Sequence, residues 1–133
     1  MKIYFATSIR GSADSNIENA ELISSLKKYG EVLTEHFSRI KTDGETNLPD
    51  KEIHDRDLKW IDECDVIVAE VSNPSLGVGY EIRYGIENGK RILCIKHKNG
   101  KRLSAMISGC DSLELEMYEN ITDLDEIFSD FFD

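Results

Sequence analysis

Val66-Ile67-Val68-Ala69-Glu70-Val71-Ser72-Asn73-Pro74-Ser75-Leu76-Gly77-Val78-Gly79-Tyr80-Glu81 decides how this chain folds. Residues 66–71 form an apolar run that reads as a buried strand, and a helix-like segment follows the glycines. A glycine-bearing turn at the carboxyl end of a strand is where open α/β sheets bind ligands. Ser75, Gly77 and Gly79 bring backbone N–H groups toward an anion at a helix N-terminus. Glu81 then sets a carboxylate beside that anion position. An anion cradle next to a potential nucleophile points to chemistry on a small phosphorylated molecule.

Working outward, strands and helices alternate. Strands are expected over 2–7, 31–34, 66–71, 91–95 and 113–117. Helices are expected from Asp14 or Ser15 to about 29, over 50–64, 80–88 and 103–107, and over 122–132 at the end. Residues 36–49 are polar, with Gly44 and Pro49, and read as a surface loop. This alternation predicts right-handed βαβ units in one domain spanning 1–133. The expected fold class is α/β, a Rossmann/flavodoxin-like three-layer sandwich around a mainly parallel five-stranded sheet. An order of 2-1-3-4-5 makes the turns after strands one and three face each other at the switch point.

Composition narrows the function. The 133 residues suffice for one real core, and the formal net charge of −10 argues against a nucleic acid polymer as partner. The longest apolar run is far too short to span a bilayer, and the start, Met1-Lys2-Ile3-Tyr4-Phe5-Ala6, is a strand signal without a secretory h-region. Cys64, Cys94 and Cys110 are an odd number without motif spacing, so reduced thiols and a cytoplasmic location are expected, or a nuclear one in a eukaryote. No metal cluster stands out, and no cofactor is expected.

Several residues admit two readings. Ser8-Ile9-Arg10-Gly11 stands where a phosphate loop would, although it is neither a Walker A nor a dinucleotide fingerprint; an ordinary turn with a solvated arginine also fits. Glu81 reads either as a nucleophile or as a first-turn glutamate favoured by the helix dipole. Asp57 either faces solvent with Lys59, Asp62 and Glu63 or turns inward as a second carboxylate. His36 follows strand two at the active edge, where a surface histidine and a proton-transfer group are both plausible. Tyr4 is either a core aromatic or a phenol that orients a carboxylate. His54 reads as a packing residue and His97 as exposed.

Seven blocks in order carry a resemblance. They are Tyr4-Phe5 with Ser8-Ile9-Arg10-Gly11, Val32-Leu33-Thr34-Glu35-His36, and Ile53-His54 with Asp57-Leu58 and Trp60. Val68-Ala69-Glu70-Val71, Pro74 through Glu81, Lys90-Arg91-Ile92-Leu93-Cys94 and Leu103-Ser104-Ala105-Met106-Ile107 follow. Together they resemble the 2′-deoxynucleoside 5′-phosphate N-hydrolases, in the nucleoside 2-deoxyribosyltransferase superfamily. The main departure is the loop 37–52, which bears on base preference.

The resemblance implies an N-glycosidase that releases a free nucleobase and 2-deoxyribose 5-phosphate. It implies Glu81 as nucleophile, Asp57 as acid/base with His36 as helper, and Tyr4 as the group positioning Glu81. Ser8, Arg10, Gly11, Ser75 and Gly77 would hold the 5′-phosphate, and Ile9 and Ile53 would pack on base or sugar. It further implies a homodimer in which Ser104 completes the neighbour's phosphate site and Met106 reaches the neighbour's pocket. Three alternatives remain. A ribonucleoside monophosphate N-glycosidase and a deoxyribosyltransferase keep the fold, whereas a nucleotide-binding module needs the phosphate turns without Glu81, Asp57 and Tyr4 together. A receiver domain is disfavoured because Val71-Ser72-Asn73 offers no acceptor aspartate.

Overall fold

The computed structural model describes residues 1–8, 19–34 and 48–133. Five strands, β1 (Lys2–Thr7), β2 (Glu31–Val32), β3 (Val66–Glu70), β4 (Arg91–His97) and β5 (Glu114–Tyr118), form one sheet in the order β2-β1-β3-β4-β5. Every pairing is parallel, so the expected "mainly parallel" sheet is wholly so. Among the described residues the helices are α1 (Asn19–Leu26), α2 (Asp50–Glu63), α3 (Leu76–Glu87), α4 (Ala105–Ser108) and α5 (Ile121–Phe132). Among the described residues, no helix is long and apolar enough to cross a membrane.

The central strands are apolar because helices cover both faces of the sheet, the usual condition of parallel sheets. All five residues of β3 are buried. Alternation then sorts the side chains. Ile3, Phe5, Val66, Val68, Leu93 and Ile95 pack with Leu22, Leu26, Leu124 and Phe128 from α1 and α5. Tyr4, Ala6, Ile67, Ala69, Ile92 and Cys94 pack with Ile61 from α2 and Val78 and Ile82 from α3. Edge strand β5 carries exposed Glu114 and Glu116, which discourage pairing with another sheet.

Local chemistry sets the element ends. Strand β2 is shorter than the expected 31–34 because a side chain takes over its ladder: Thr34 Oγ1 accepts from the Phe5 N–H at 3.1 Å and donates to the Phe5 carbonyl at 2.9 Å. Helix α5 opens with a capping box between Asn120 and Asp123. Helix α3 is followed by Gly89 at φ 73°, a left-handed position that suits a residue without Cβ.

Helix α3 begins at Leu76, four residues before the expected start at Tyr80. Ser75 is its N-cap, with the hydroxyl accepting from the Val78 N–H at 3.2 Å. The Gly77–Gly79 stretch is therefore the helix's first turn rather than a loop preceding it. Intrinsic propensity speaks against helical glycine, and the cap together with burial of Val78 overrides it. Gly85 lets the same helix approach the sheet closely. A Cβ there would lie 2.3 Å from Ile67 Cδ1 and 3.0 Å from Ile92 Cδ1.

Gly85→Ala should therefore lower unfolding free energy by about 1–3 kcal/mol in urea titration, through overpacking. Gly79→Ala, whose Cβ would meet nothing within 4 Å among the described residues, should be neutral or stabilising by up to about 1 kcal/mol.

Candidate active site

Alternation along β1 sends Tyr4 to the face covered by α2 and α3. Its hydroxyl, in a residue only 1% exposed, donates to the carboxylate of Glu81. Because α3 starts at Leu76, Glu81 falls in its second turn, beyond the reach of the first-turn dipole account. Its half-buried carboxyl thus needs another reason to be where it is. Burial pushes Glu81 up to about 7; the Tyr4 hydrogen bond opposes that shift and the negative charge of Asp57 adds to it. Tyr4 is driven well above its ordinary range, by burial first and then by Glu81 and Asp57, so it stays a protonated donor.

Asp57 comes from α2 and is half-buried, with a side chain 19% exposed. Its charge acts on both Tyr4 and Glu81, so of its two readings the inward one holds. Lys59, Asp62 and Glu63 of the same helix are the exposed residues. Arg56 donates from Nε and Nη2 to Asp57 Oδ1 at 3.2 and 3.1 Å. Its guanidinium lies 4.9 Å from the centre of the Trp60 ring. Ile53, one turn before Asp57, is half-buried on that helix. His54 is exposed rather than packed: its ring nitrogens meet the Asp55 carboxylate and the Tyr80 hydroxyl, both at 2.9 Å.

The anion-accepting side is built by the paired strands. Thr7 is in register with Glu70, so β1 and β3 end side by side. Ser8, half-buried, leaves β1 there, while β3 leads through Ser72 to the Ser75 cap. In the first turn of α3 the N–H groups of Leu76 and Gly77 have no partner within the helix, by geometry. Among the described residues, a Cβ on Gly77 would meet only Ser75 Oγ, at 3.8 Å, which suits that backbone to approach by a ligand. Ser104 is the N-cap of α4, accepting from the Met106 N–H at 3.2 Å, and Met106 is 82% exposed. Ile9, Arg10, Gly11 and His36 lie outside the described residues.

Two features went unread in the sequence. Arg56 precedes Asp57 and stands four residues before Trp60, a helical spacing that signals a cation–π stack. Glu70, in an otherwise apolar strand, is a buried charge, and a lone acid within an apolar run is the signal for one. His97, expected to be exposed, is 5% exposed. Its Nδ1 accepts from the Asn99 N–H at 3.1 Å and its Nε2 bonds to the Glu119 carbonyl at 3.0 Å.

A carboxyl pair beside an open helix N-terminus, at the switch point of a parallel sheet, defines an α/β protein equipped to hold an anionic ligand against a reactive carboxylate. Residues 3–122 match the nucleoside 2-deoxyribosyltransferase family, and the chain belongs to it. It is 42% identical over 138 residues to a 5-hydroxymethyl-dUMP N-hydrolase of Danio rerio, covering 100% of this chain and 96% of the relative. A 5-hydroxymethyl-dUMP N-hydrolase of Esox lucius is 48% identical over 114 residues, covering 82% of this chain and 79% of the relative. The structure of a CMP N-glycosidase from Clostridium botulinum shares the fold, with a TM-score of 0.70 at 17% identity over 98% of this chain and 99% of the other.

Glu81 also has a consequence for stability. Its native value of about 7 exceeds the ordinary 4.5, so between those values the folded state holds more protons than the unfolded chain. Stability from this group is full below the lower value and is lost as pH rises through the upper one. Glu81→Gln should thus raise unfolding free energy by about 1–3 kcal/mol at about pH 8 and change it little at about pH 4. Paired urea titrations at the two pH values check this.

Proposed function

We propose that this protein hydrolyses the N-glycosidic bond of 2′-deoxynucleoside 5′-monophosphates. The observation that carries the reading is the Tyr4–Glu81–Asp57 cluster, a buried carboxylate held by a phenol with a second carboxylate beside it. The names of the curated relatives support the substrate class.

In this reading the 5′-phosphate rests on the N-terminus of α3, at Ser75 and Gly77, with Ser8 and, from the sequence resemblance, Arg10 and Gly11 as further phosphate-binding residues. Ile9 and Ile53 pack on the base or sugar. That remote binding holds C1′ against Glu81. A Glu81 oxygen attacks C1′ as the C1′–N bond breaks and its electron pair leaves with the base. Asp57 supplies the proton the base needs, with His36 assisting. Water then attacks C1′ of the glycosyl ester, Asp57 takes the water's proton, and 2-deoxyribose 5-phosphate departs. Charge develops on C1′ in both steps, and the adjacent carboxylate stabilises it. The Tyr4 hydrogen bond favours the ionised, nucleophilic form of Glu81 against the effect of burial.

The active unit in this reading is a homodimer, Ser104 and Met106 serving the neighbouring site. The exposure of Met106, at 82%, and of Leu76, at 96%, supports it. Normal turnover by a protein that remains monomeric at assay concentration would refute the shared site.

The direct assay is chromatography after incubation with each deoxynucleoside monophosphate and its ribo counterpart. Free base should appear from the deoxy substrates, and Glu81→Gln should reduce the rate at least about a thousandfold. Release chiefly from ribonucleotides would change the substrate, and binding without release would indicate a nucleotide-binding module. The pH profile tests Tyr4. Turnover should rise with pH through an apparent value near 7, as Glu81 ionises. Tyr4→Phe removes the hydrogen bond that lowers Glu81, so this limb should move to higher pH as kcat falls. An unmoved limb would remove Tyr4 from its assigned role.

A further inference from the structure

Glu70 ends β3 on the sheet face opposite Tyr4 and Glu81, and it is 3% exposed. A charge so buried persists only when its acceptors are satisfied. Three donors converge on it. The Ser72 N–H reaches Oε1 at 2.7 Å, the Ser72 hydroxyl reaches Oε2 at 2.8 Å, and the Tyr118 hydroxyl also donates to Oε2. Two of the three come from one residue, the first after the strand's last ladder bond, from the Val71 N–H to the Ile95 carbonyl.

Ser72 is held from its other side as well. Its Oγ accepts from the His97 N–H at 2.8 Å, and its carbonyl accepts from the Lys101 N–H at 3.0 Å. The turn that supplies these donors lies against it, since a Cβ on Gly100 would be 3.1 Å from both Ser72 Cα and Cβ. Every polar atom of Ser72 is thus engaged, and the residue is 0% exposed. Three residues later Ser75 caps α3. A chain leaving a strand and entering a helix over so few residues inherits its helix position from the last fixed point. Ser72 is one such fixed point, and Glu70 supplies two of its anchoring hydrogen bonds.

We propose that Glu70 is a positioning residue for the anion site: by clamping Ser72 it sets the N-terminus of α3 at a fixed place relative to Ser8 at the end of β1. The inference rests on the reading of that N-terminus as the phosphate site. Glu70 bonds to Ser72 and Tyr118 and not to the Tyr4–Glu81 pair, so its loss should weaken phosphate binding while leaving the ionisation of Glu81 unchanged.

The test is steady-state kinetics of the full chain carrying Glu70→Gln or Ser72→Ala, with inorganic phosphate as competitor. Each substitution should raise KM for a deoxynucleoside monophosphate about tenfold, a larger factor than the accompanying fall in kcat. Inhibition by inorganic phosphate should weaken in parallel, and the pH limb near 7 set by Glu81 should not move. A residue that only supports the fold would lower kcat through loss of active protein and leave KM and phosphate inhibition alone; that result overturns the proposal. Should Glu70→Gln fail to fold, Ser72→Ala and Tyr118→Phe carry the test, the latter removing one donor and giving a smaller rise in KM in the same direction. If wild type turns over and all variants keep its KM, only the role of Glu70 falls. If wild type releases no base from any nucleotide, the phosphate-site reading falls and takes the role of Glu70 with it.

Discussion

The parallel pairing of β1 with β3, from Ile3 against Val66 to Thr7 against Glu70, determines where each described functional group stands. Register and period together fix the faces. A slip of one residue would turn Tyr4 toward α1 and α5 and leave Glu81 without its phenol. The same pairing brings Ser8 and the segment after Glu70 out of the sheet side by side, as the switch point of the strand order requires. Helices α2 and α3 then lie over one face and deliver Asp57 and Glu81 to Tyr4. The site is a consequence of topology, with α3 as the element that joins the anion-accepting end to the carboxylate within two turns.

Two carboxylates near the end of β3 are treated in opposite ways. Glu70 is buried and given three hydrogen-bond donors, which holds a stationary charge. Glu81 is buried and, among the described residues, receives one, from Tyr4, with Asp57 as an unfavourable neighbour. A carboxylate with few donors among the described residues is poor for stability, and in the proposed reaction bond formation at C1′ would relieve its desolvation. The fold accepts that strain in a layer where Ile61, Ile67, Ile82 and Ile92 are each at most 2% exposed.

Much of this was legible in the sequence because parallel sheets write themselves as apolar runs. The runs at 2–7, 66–71 and 91–95 marked three central strands, and their alternation with helices indicated a parallel sheet, while the order 2-1-3-4-5 was one of the common choices for it. The carboxylates were legible because acids stand out beside apolar residues at helical spacing. What stayed hidden was decided by tertiary contact. The start of α3 was misplaced because glycines argue against helix, and only the Ser75 cap and the packing of Val78 reverse that preference. The buried state of His97 was hidden because Lys96 and Lys98 flank it. Lys96 is itself buried, its ammonium bound to the His97 and Gly100 carbonyls at 3.3 Å, which no local pattern reveals. The early end of β2 was hidden for a like reason, since a threonine hydroxyl stands in for the backbone ladder.

The central claim is that Glu81 forms a covalent bond to C1′. Acid quenching during turnover of a deoxynucleoside monophosphate, followed by peptide mass mapping, tests it most directly. A 2-deoxyribose 5-phosphate adduct should appear only on the peptide bearing Glu81 and be absent from Glu81→Gln. Base release that proceeds undiminished in Glu81→Gln, or an adduct on another side chain, would contradict it.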